Sequence, residues 1–186
     1  HFGTDGWRAI IGEGFTLHNV RRLCQALANE VTRQGAESRG VVIGYDRRFL
    51  SKESAHWAAE VLAGYGFHVF VVARSSPTPL IMFTVKQMQT PYGLAVTASH
   101  NPAIYNGIKV FSGQGYKLSD SVEARIEEKI LSQEPMKLRT RGEIGRRHHG
   151  MRQLKRDYID FVASTIESDL AGLKILADCA NGAASA

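Results

Sequence analysis

Short β-branched runs alternate with helix-period segments over the first 135 residues, and that alternation restricts the chain to a sheet covered by helices on both faces. "RAIIG" (Arg8 to Gly12) reads as a strand, after which Val20, Leu23, Cys24, Leu27 and Val31 recur at helical spacing as one apolar stripe. "GVVIGYD" (Gly40 to Asp46) has the unbroken apolar pattern of a strand buried on both faces. Ser51 reads as the N-cap of a helix with Ala55, Ala58, Ala59 and Leu62 inward, stopped by Gly64 and Gly66. "FHVFVV" (Phe67 to Val72) is a third strand, and Thr78 followed by Pro79 opens a helix running to about Met88. "YGLAVT" and "GIKVF" are the fourth and fifth strands, and Asp120 with Glu123 forms a capping box ahead of Val122, Ile126 and Ile130. The expected fold class is α/β: a three-layer α/β/α domain with a mainly parallel, mixed sheet.

The pattern changes after Pro135. "KLRTRGEIGRRHHGMR" (Lys137 to Arg152) is polar, basic and punctuated by glycine, which predicts a connecting segment with room for a short hairpin. An amphipathic helix follows, with Leu154, Tyr158, Phe161, Val162 and Ile166 on one side. "LKILADCANGAASA" then reads as a new strand and a Gly-containing turn. The expected organisation is domain I over residues 1–136, a connection over 137–152, and over 153–186 the truncated beginning of a second α/β/α domain. His1, with no methionine before it, suggests that the natural start lies further upstream.

At 186 residues, with 44% hydrophobic and 22% charged residues, the composition is that of a globular chain with a substantial core. The formal charge of +5 suits a protein that handles phosphorylated small molecules. The basic connection carries no interleaved aromatic residues, so nucleic acid is not expected as a partner. His148 and His149 are adjacent, the wrong spacing for two metal ligands on a helix face. Cys24 and Cys179 lie far apart among apolar neighbours and read as reduced core residues of a cytoplasmic protein. No run approaches the roughly 18 to 20 apolar residues of a membrane span, and no signal peptide opens the chain.

Chemistry concentrates in "AVTASHNPAIYNGIKVF", Ala95 to Phe111. A serine after a parallel strand lies at the carboxyl edge of the sheet, where open α/β sheets place their ligand sites. Ser99 and Asn101 can also serve simply to satisfy the backbone of a turn. Consecutive side chains diverge, which argues against His100 as the base of a hydrolytic triad on Ser99, and no G-x-S-x-G elbow is present. Two other segments add charge near that edge. "FGTDGWR" delivers Arg8 ahead of the first strand, and "IGYDRRFLS" ends the second with an acid and two arginines, so that Arg47 or Arg48 projects near the edge carrying Ser99. Arginine binds phosphate in bidentate fashion. Hydroxyl, lysine and arginines together suggest a phosphorylated serine.

"TASHNP", with "GTDGWR" before it and "NGIK" after it, resembles the α-D-phosphohexomutases, and order and spacing agree from Phe2 to the chain end. "LADCANGAAS" resembles the opening of that family's second domain. The resemblance implies that Ser99 carries the catalytic phosphoryl group and that a phosphoserine oxygen ligates Mg²⁺. It implies that His100 and Lys109 act as general acid/base or charge stabilisers, in an order left open. Arg8 would bind the phosphoserine, Asn101 would orient the loop, and Arg47 would support phosphate binding. The implied activity interconverts hexose 1-phosphate and hexose 6-phosphate through a bisphosphorylated sugar, with sugar 1,6-bisphosphate as activator. The tryptophan in "GTDGWR" leans towards the glucose and mannose branch. The family's Asp-rich metal loop, of the D-G-D-x-D-R kind, does not occur in this sequence. The resemblance assigns sugar recognition and the distal phosphate site to later domains, so the chain alone is expected to be inactive. Two other readings are a non-catalytic phosphosugar-binding or regulatory module and a serine phosphatase-like hydrolase.

Overall fold

The structure is a computed structural model and describes residues 6–132, 134–149 and 152–185. In chain order it contains β1 (Trp7–Ile10), α1 (Leu17–Arg33), β2 (Val41–Tyr45), α2 (Ser51–Gly64), β3 (Val69–Val71), α3 (Thr78–Gln87), β4 (Tyr92–Val96), β5 (Tyr105–Ser112), α4 (Asp120–Leu131), β6 (Arg147–His149) and α5 (Arg152–Ser164). The strands form one sheet in the order β1-β5-β4-β2-β3-β6. β4, β2, β3 and β6 are mutually parallel, whereas β5 runs antiparallel to both β1 and β4. The sheet is therefore mixed, and its class is α/β.

Strands β2 and β4 are buried at every residue, as their unbroken apolar runs require of strands covered on both faces. On one face, Leu23 and Leu27 of α1, Leu62 of α2 and Ile126 of α4 pack against Ile43, Leu94, Val96 and Ile108. On the other face, Ile81 and Val85 of α3 meet Val42, Ala95 and Phe111. Each such large apolar side chain contributes about 1.5–3 kcal/mol by leaving water. The apolar stripe from Val20 to Val31 is wholly buried. Phe83 of α3 holds α5 on the second face by ring contacts with Tyr158 at 5.5 Å and Phe161 at 5.3 Å.

Three helix starts differ from the sequence expectation. Ser51 is the first helical residue of α2, not its cap; Leu50, in the left-handed region at φ 62°, precedes it. The Ser51 hydroxyl is already engaged by Asp46, to which it donates at 2.7 Å. Pro77, not Thr78, stands at the N-cap of α3. Ser119 holds that position for α4, which leaves Asp120 and Glu123 as first-turn acids favoured by the helix dipole rather than a capping box.

The basic segment after Pro135 does not form a hairpin. It runs along α2, where the Arg139 N–H donates to the Gly64 carbonyl at 2.8 Å, and β6 joins the sheet edge parallel to β3. The expected strand over "LKILAD" is absent from the described residues, and Ile175 and Leu176 are 77% and 97% exposed. A strand persists only where another supplies ladder partners, and none pairs with this segment among the described residues. Cys24 is buried as expected, and burial pushes its thiol up to about 12. Cys179, by contrast, is exposed.

One buried charge ties α1 to α4. Glu30 is 5% exposed and accepts hydrogen bonds from Arg33, Arg125 and Gln34 at 2.8 to 3.0 Å. These bonds, that from Arg33 foremost, hold its carboxyl down at about 2 against an ordinary 4.5. A depressed carboxyl stabilises the fold at pH values above its unfolded pKa, and that contribution disappears as pH falls through the folded one. Glu30→Gln is expected to lose about 2 kcal/mol at pH 7. The gap to the natural chain should narrow between pH 4.5 and 2. Urea unfolding of both chains at pH 7 and near pH 3 measures it.

Candidate active site

The segment after β4 leaves the carboxyl edge of the parallel strands beside the segment after β2. Ser99 and His100 are exposed there, while Thr97 and Ala98 beneath them are buried. Ser99 lies in the left-handed region at φ 57°. For a residue with a side chain that conformation costs about 1–2 kcal/mol, so the surroundings must impose it.

Those surroundings are hydrogen bonds from both directions. The Ser99 N–H donates to Thr97 Oγ1 at 2.9 Å, and the Thr97 hydroxyl donates to Asp46 Oδ2 at 2.6 Å. Asp46 Oδ1 accepts from the Arg48 N–H at 2.9 Å and the Ser51 hydroxyl at 2.7 Å. The Ser51 oxygen accepts in turn from Asn106 Nδ2 at 2.9 Å, which carries the network to the start of β5. On the carbonyl side, Arg48 Nη2 donates to the Ser99 and Asn101 carbonyls, both at 2.6 Å. Its Nη1 donates to the carbonyls of Pro102 at 3.0 Å and Tyr105 at 3.1 Å.

Among the sequence candidates, the structure joins Ser99, His100, Asn101 and Arg8. His100 Nδ1 lies 3.4 Å from Ser99 Oγ, the long limit of a hydrogen bond, so the adjacent side chains diverge less than expected. Arg8 Nη1 donates to Asn101 Oδ1 at 2.6 Å, fastening β1 to the serine loop. Arg8 lies opposite Gly107, and Lys109 opposite Ala95, so both cations occupy one sheet face. As diagonal neighbours their backbones are about 7 Å apart. Two cations so placed favour an anion beside them. Gly6 makes the approach possible: at φ 102°, a Cβ there would meet the Ile108 carbonyl oxygen at 2.6 Å.

A cleft of about 630 Å³ opens at this edge, lined by Asp46 to Phe49, Ser76 to Thr78, Ala95 to Thr97, Ser99 and Asn101, with residues 180–183 at its rim. Ala95 and Thr97 share the sheet face of Arg8 and Lys109. Arg47 lines the cleft as an exposed residue, while Lys109 is half-buried and outside the lining. A larger cavity of about 790 Å³ between α3 and α5 contains neither Ser99 nor any residue bonded to it. The smaller cleft holds the chemistry. Asp46, Thr97 and Arg48 are the residues that the sequence reading did not single out. The motif "GYDRRFLS" was the available signal, and it left the two arginines indistinguishable.

For a divalent cation the local donor set is incomplete. Both oxygens of Asp46, the carboxylate in the cleft lining, accept from Arg48, Ser51 and Thr97. No group of three or more histidine, cysteine, aspartate or glutamate residues suited to a metal occurs among the described residues. A phosphate on Ser99 is the ligand this edge can offer. Likewise, no helix of the described residues is long and apolar enough to cross a membrane.

Residues 1–137 match the family model described as phosphoglucomutase/phosphomannomutase, alpha/beta/alpha domain I. The chain is 38% identical over 186 residues to the phosphoglucosamine mutase of Desulforamulus reducens, covering all of this chain and 41% of that protein. It is 40% identical over 184 residues to the phosphoglucosamine mutase of Caldanaerobacter subterraneus subsp. tengcongensis, covering 99% and 40%. The chain thus spans about two fifths of the length of these relatives. In three dimensions it resembles the crystal structure of an assigned phosphomannomutase from Thermus thermophilus, with a TM-score of 0.78 and 29% identity over 90% of this chain and 36% of that one. A three-layer α/β domain with a hydrogen-bonded serine loop at its carboxyl edge is the class these observations define. The chain belongs to the phosphoglucomutase/phosphomannomutase family, whose domain I it contains.

Proposed function

We propose that this chain is the phosphoserine-bearing part of a phosphohexomutase, with residues 1–136 as domain I, 137–152 as the connection and 153–186 as the start of domain II. The observation that carries the reading is Ser99, exposed at the mouth of a cleft yet locked at φ 57° by its neighbours. In the forward half-reaction, a hydroxyl oxygen of the sugar phosphate attacks phosphorus as the bond from phosphorus to Ser99 Oγ breaks. The hydroxyl proton passes to His100 or Lys109, and Ser99 Oγ is protonated as it leaves. The second half-reaction reverses these steps at the other end of the bisphosphorylated sugar, and sugar 1,6-bisphosphate recharges a serine that has lost its phosphate. Arg8 holds the phosphoserine while Asn101 orients the loop, and Arg47 supports phosphate from the cleft wall. Catalysis of this kind rests mainly on positioning and on charge around the transferring oxygens. Mg²⁺, bound through the Ser99 phosphate, would offset charge on that group, with its other ligands supplied from outside this chain's described residues. A reduced, buried Cys24 and phosphosugar substrates suit a cytoplasmic enzyme.

The names of the two relatives favour a hexosamine phosphate as substrate over glucose or mannose phosphate, against the lean drawn from the tryptophan of "GTDGWR". The test is a comparison of the complete polypeptide with the 186-residue chain on glucosamine, glucose and mannose 6-phosphates. The complete polypeptide is expected to convert the amino sugar with the highest kcat/KM, and the isolated chain to convert none. Equal turnover by the isolated chain would contradict the proposed division of the site.

A further inference from the structure

We propose that Arg48 is the positioning residue of the phosphoryl-carrying serine, a role that rests on the reading of Ser99 given above. The two torsions of Ser99 are set by the peptide groups on either side of it, and each is pinned by a different partner. The preceding group is held through its N–H by Thr97 and Asp46. The following group is held through its carbonyl by Arg48 Nη2. The same guanidinium gathers the Asn101, Pro102 and Tyr105 carbonyls, so four carbonyl oxygens converge on one cation. Without it these dipoles repel and the loop opens.

Arg48 is itself held in place. Its side chain is 15% exposed, and its Nε lies 3.6 Å from Asp46 Oδ2, the carboxylate oxygen that also accepts from Thr97. Arg48 and Thr97 thus grip Ser99 from a common anchor. Both terminal nitrogens of the guanidinium point into the loop, so Arg48 does not recognise the sugar phosphate. A planar fork can divide four carbonyls between two nitrogens, whereas a lysine ammonium presents its donors at one point. Charge alone therefore does not replace it.

The geometry predicts a loss in the chemical step with binding unchanged. A displacement of about 1 Å at a reacting group lowers a rate about 100-fold. In the complete polypeptide, Arg48→Lys is expected to lower kcat about 100-fold and to leave KM for the sugar phosphate within about threefold of the natural value. Ethylguanidinium added to Arg48→Ala should restore part of kcat; if Arg48→Ala does not fold, Arg48→Lys and its melting curve carry the test. Full kcat in a folded Arg48→Lys, or a raised KM with kcat unchanged, overturns the positioning role. Loss of cooperative melting in both variants assigns Arg48 to the fold and also overturns it. Phosphopeptide analysis of the natural protein separates the two levels. Phosphate on Ser99 with an unaffected Arg48→Lys defeats this proposal alone, whereas no phosphate on Ser99 defeats the reading beneath it.

Discussion

Ser99→Ala in the complete polypeptide is expected to lower hexose phosphate interconversion at least ~1000-fold while leaving the fold intact. The expectation follows from what Ser99 does and does not touch. Its hydroxyl has one recorded side-chain neighbour, His100 Nδ1 at 3.4 Å, so removing it withdraws at most a weak bond. The loop is held through the Ser99 backbone by Thr97 and Arg48, and alanine retains both of those bonds. Stability should fall by no more than about 1 kcal/mol. A variant that melts like the natural protein and yet turns over no substrate is the expected pair of results. A loss of activity accompanied by a broad loss of structure would instead make the hydroxyl a structural group.

Gly107→Ala is expected to cost about 3 kcal/mol, a drop of roughly 6 to 12 °C in melting temperature for a chain of this size. Gly107 lies on β5 opposite Arg8 of β1. A Cβ there would lie 2.3 Å from the Trp7 carbonyl oxygen and 3.0 Å from that of Thr97. Both obstacles are backbone within the sheet and cannot swing aside as a side-chain tip can. The strain would fall between the strand that supplies Arg8 and the residue that anchors Ser99, so activity should fall with stability. Gly142→Ala is the control, because nothing lies within 4 Å of a Cβ at that position. Thermal melting of the two variants beside the natural chain decides the matter.

The sheet and its helices were legible because period carries burial directly. The stripe from Val20 to Val31 and the runs ending at Tyr45 and Val96 became buried elements within a residue or two of expectation. The starts of α2, α3 and α4 were not legible, since capping depends on where a hydroxyl finds its acceptor. Ser51 has the composition of a cap, but Asp46, five residues earlier, accepts its hydrogen bond. The segment at Arg147–His149 looked like a connection because three exposed polar residues show no strand period; their pairing with β3 is a property of the free sheet edge. "LKILAD" has the opposite fault, a strand composition without the neighbouring strand that would hold it.

At the site, the serine loop stood out by its chemistry, but its supports did not. Arg47 and Arg48 are adjacent and chemically identical, and only the course of the chain after β2 turns one to the cleft and the other into the loop. Thr97 looked like the last residue of a strand, although it bridges Asp46 to the Ser99 N–H. Such roles depend on contacts between residues about fifty positions apart, which no local pattern records.

The central claim is that Ser99 carries phosphate during the reaction, and locating that phosphate tests it most directly. The complete polypeptide and its Ser99→Ala variant are incubated with a sugar 1,6-bisphosphate, digested and mapped by peptide mass analysis. The account predicts one phosphate on Ser99, within the Ala95–Lys109 stretch, in the natural protein and none there in the variant. Phosphate carried stably on another residue during turnover, or undiminished turnover by Ser99→Ala, would contradict it.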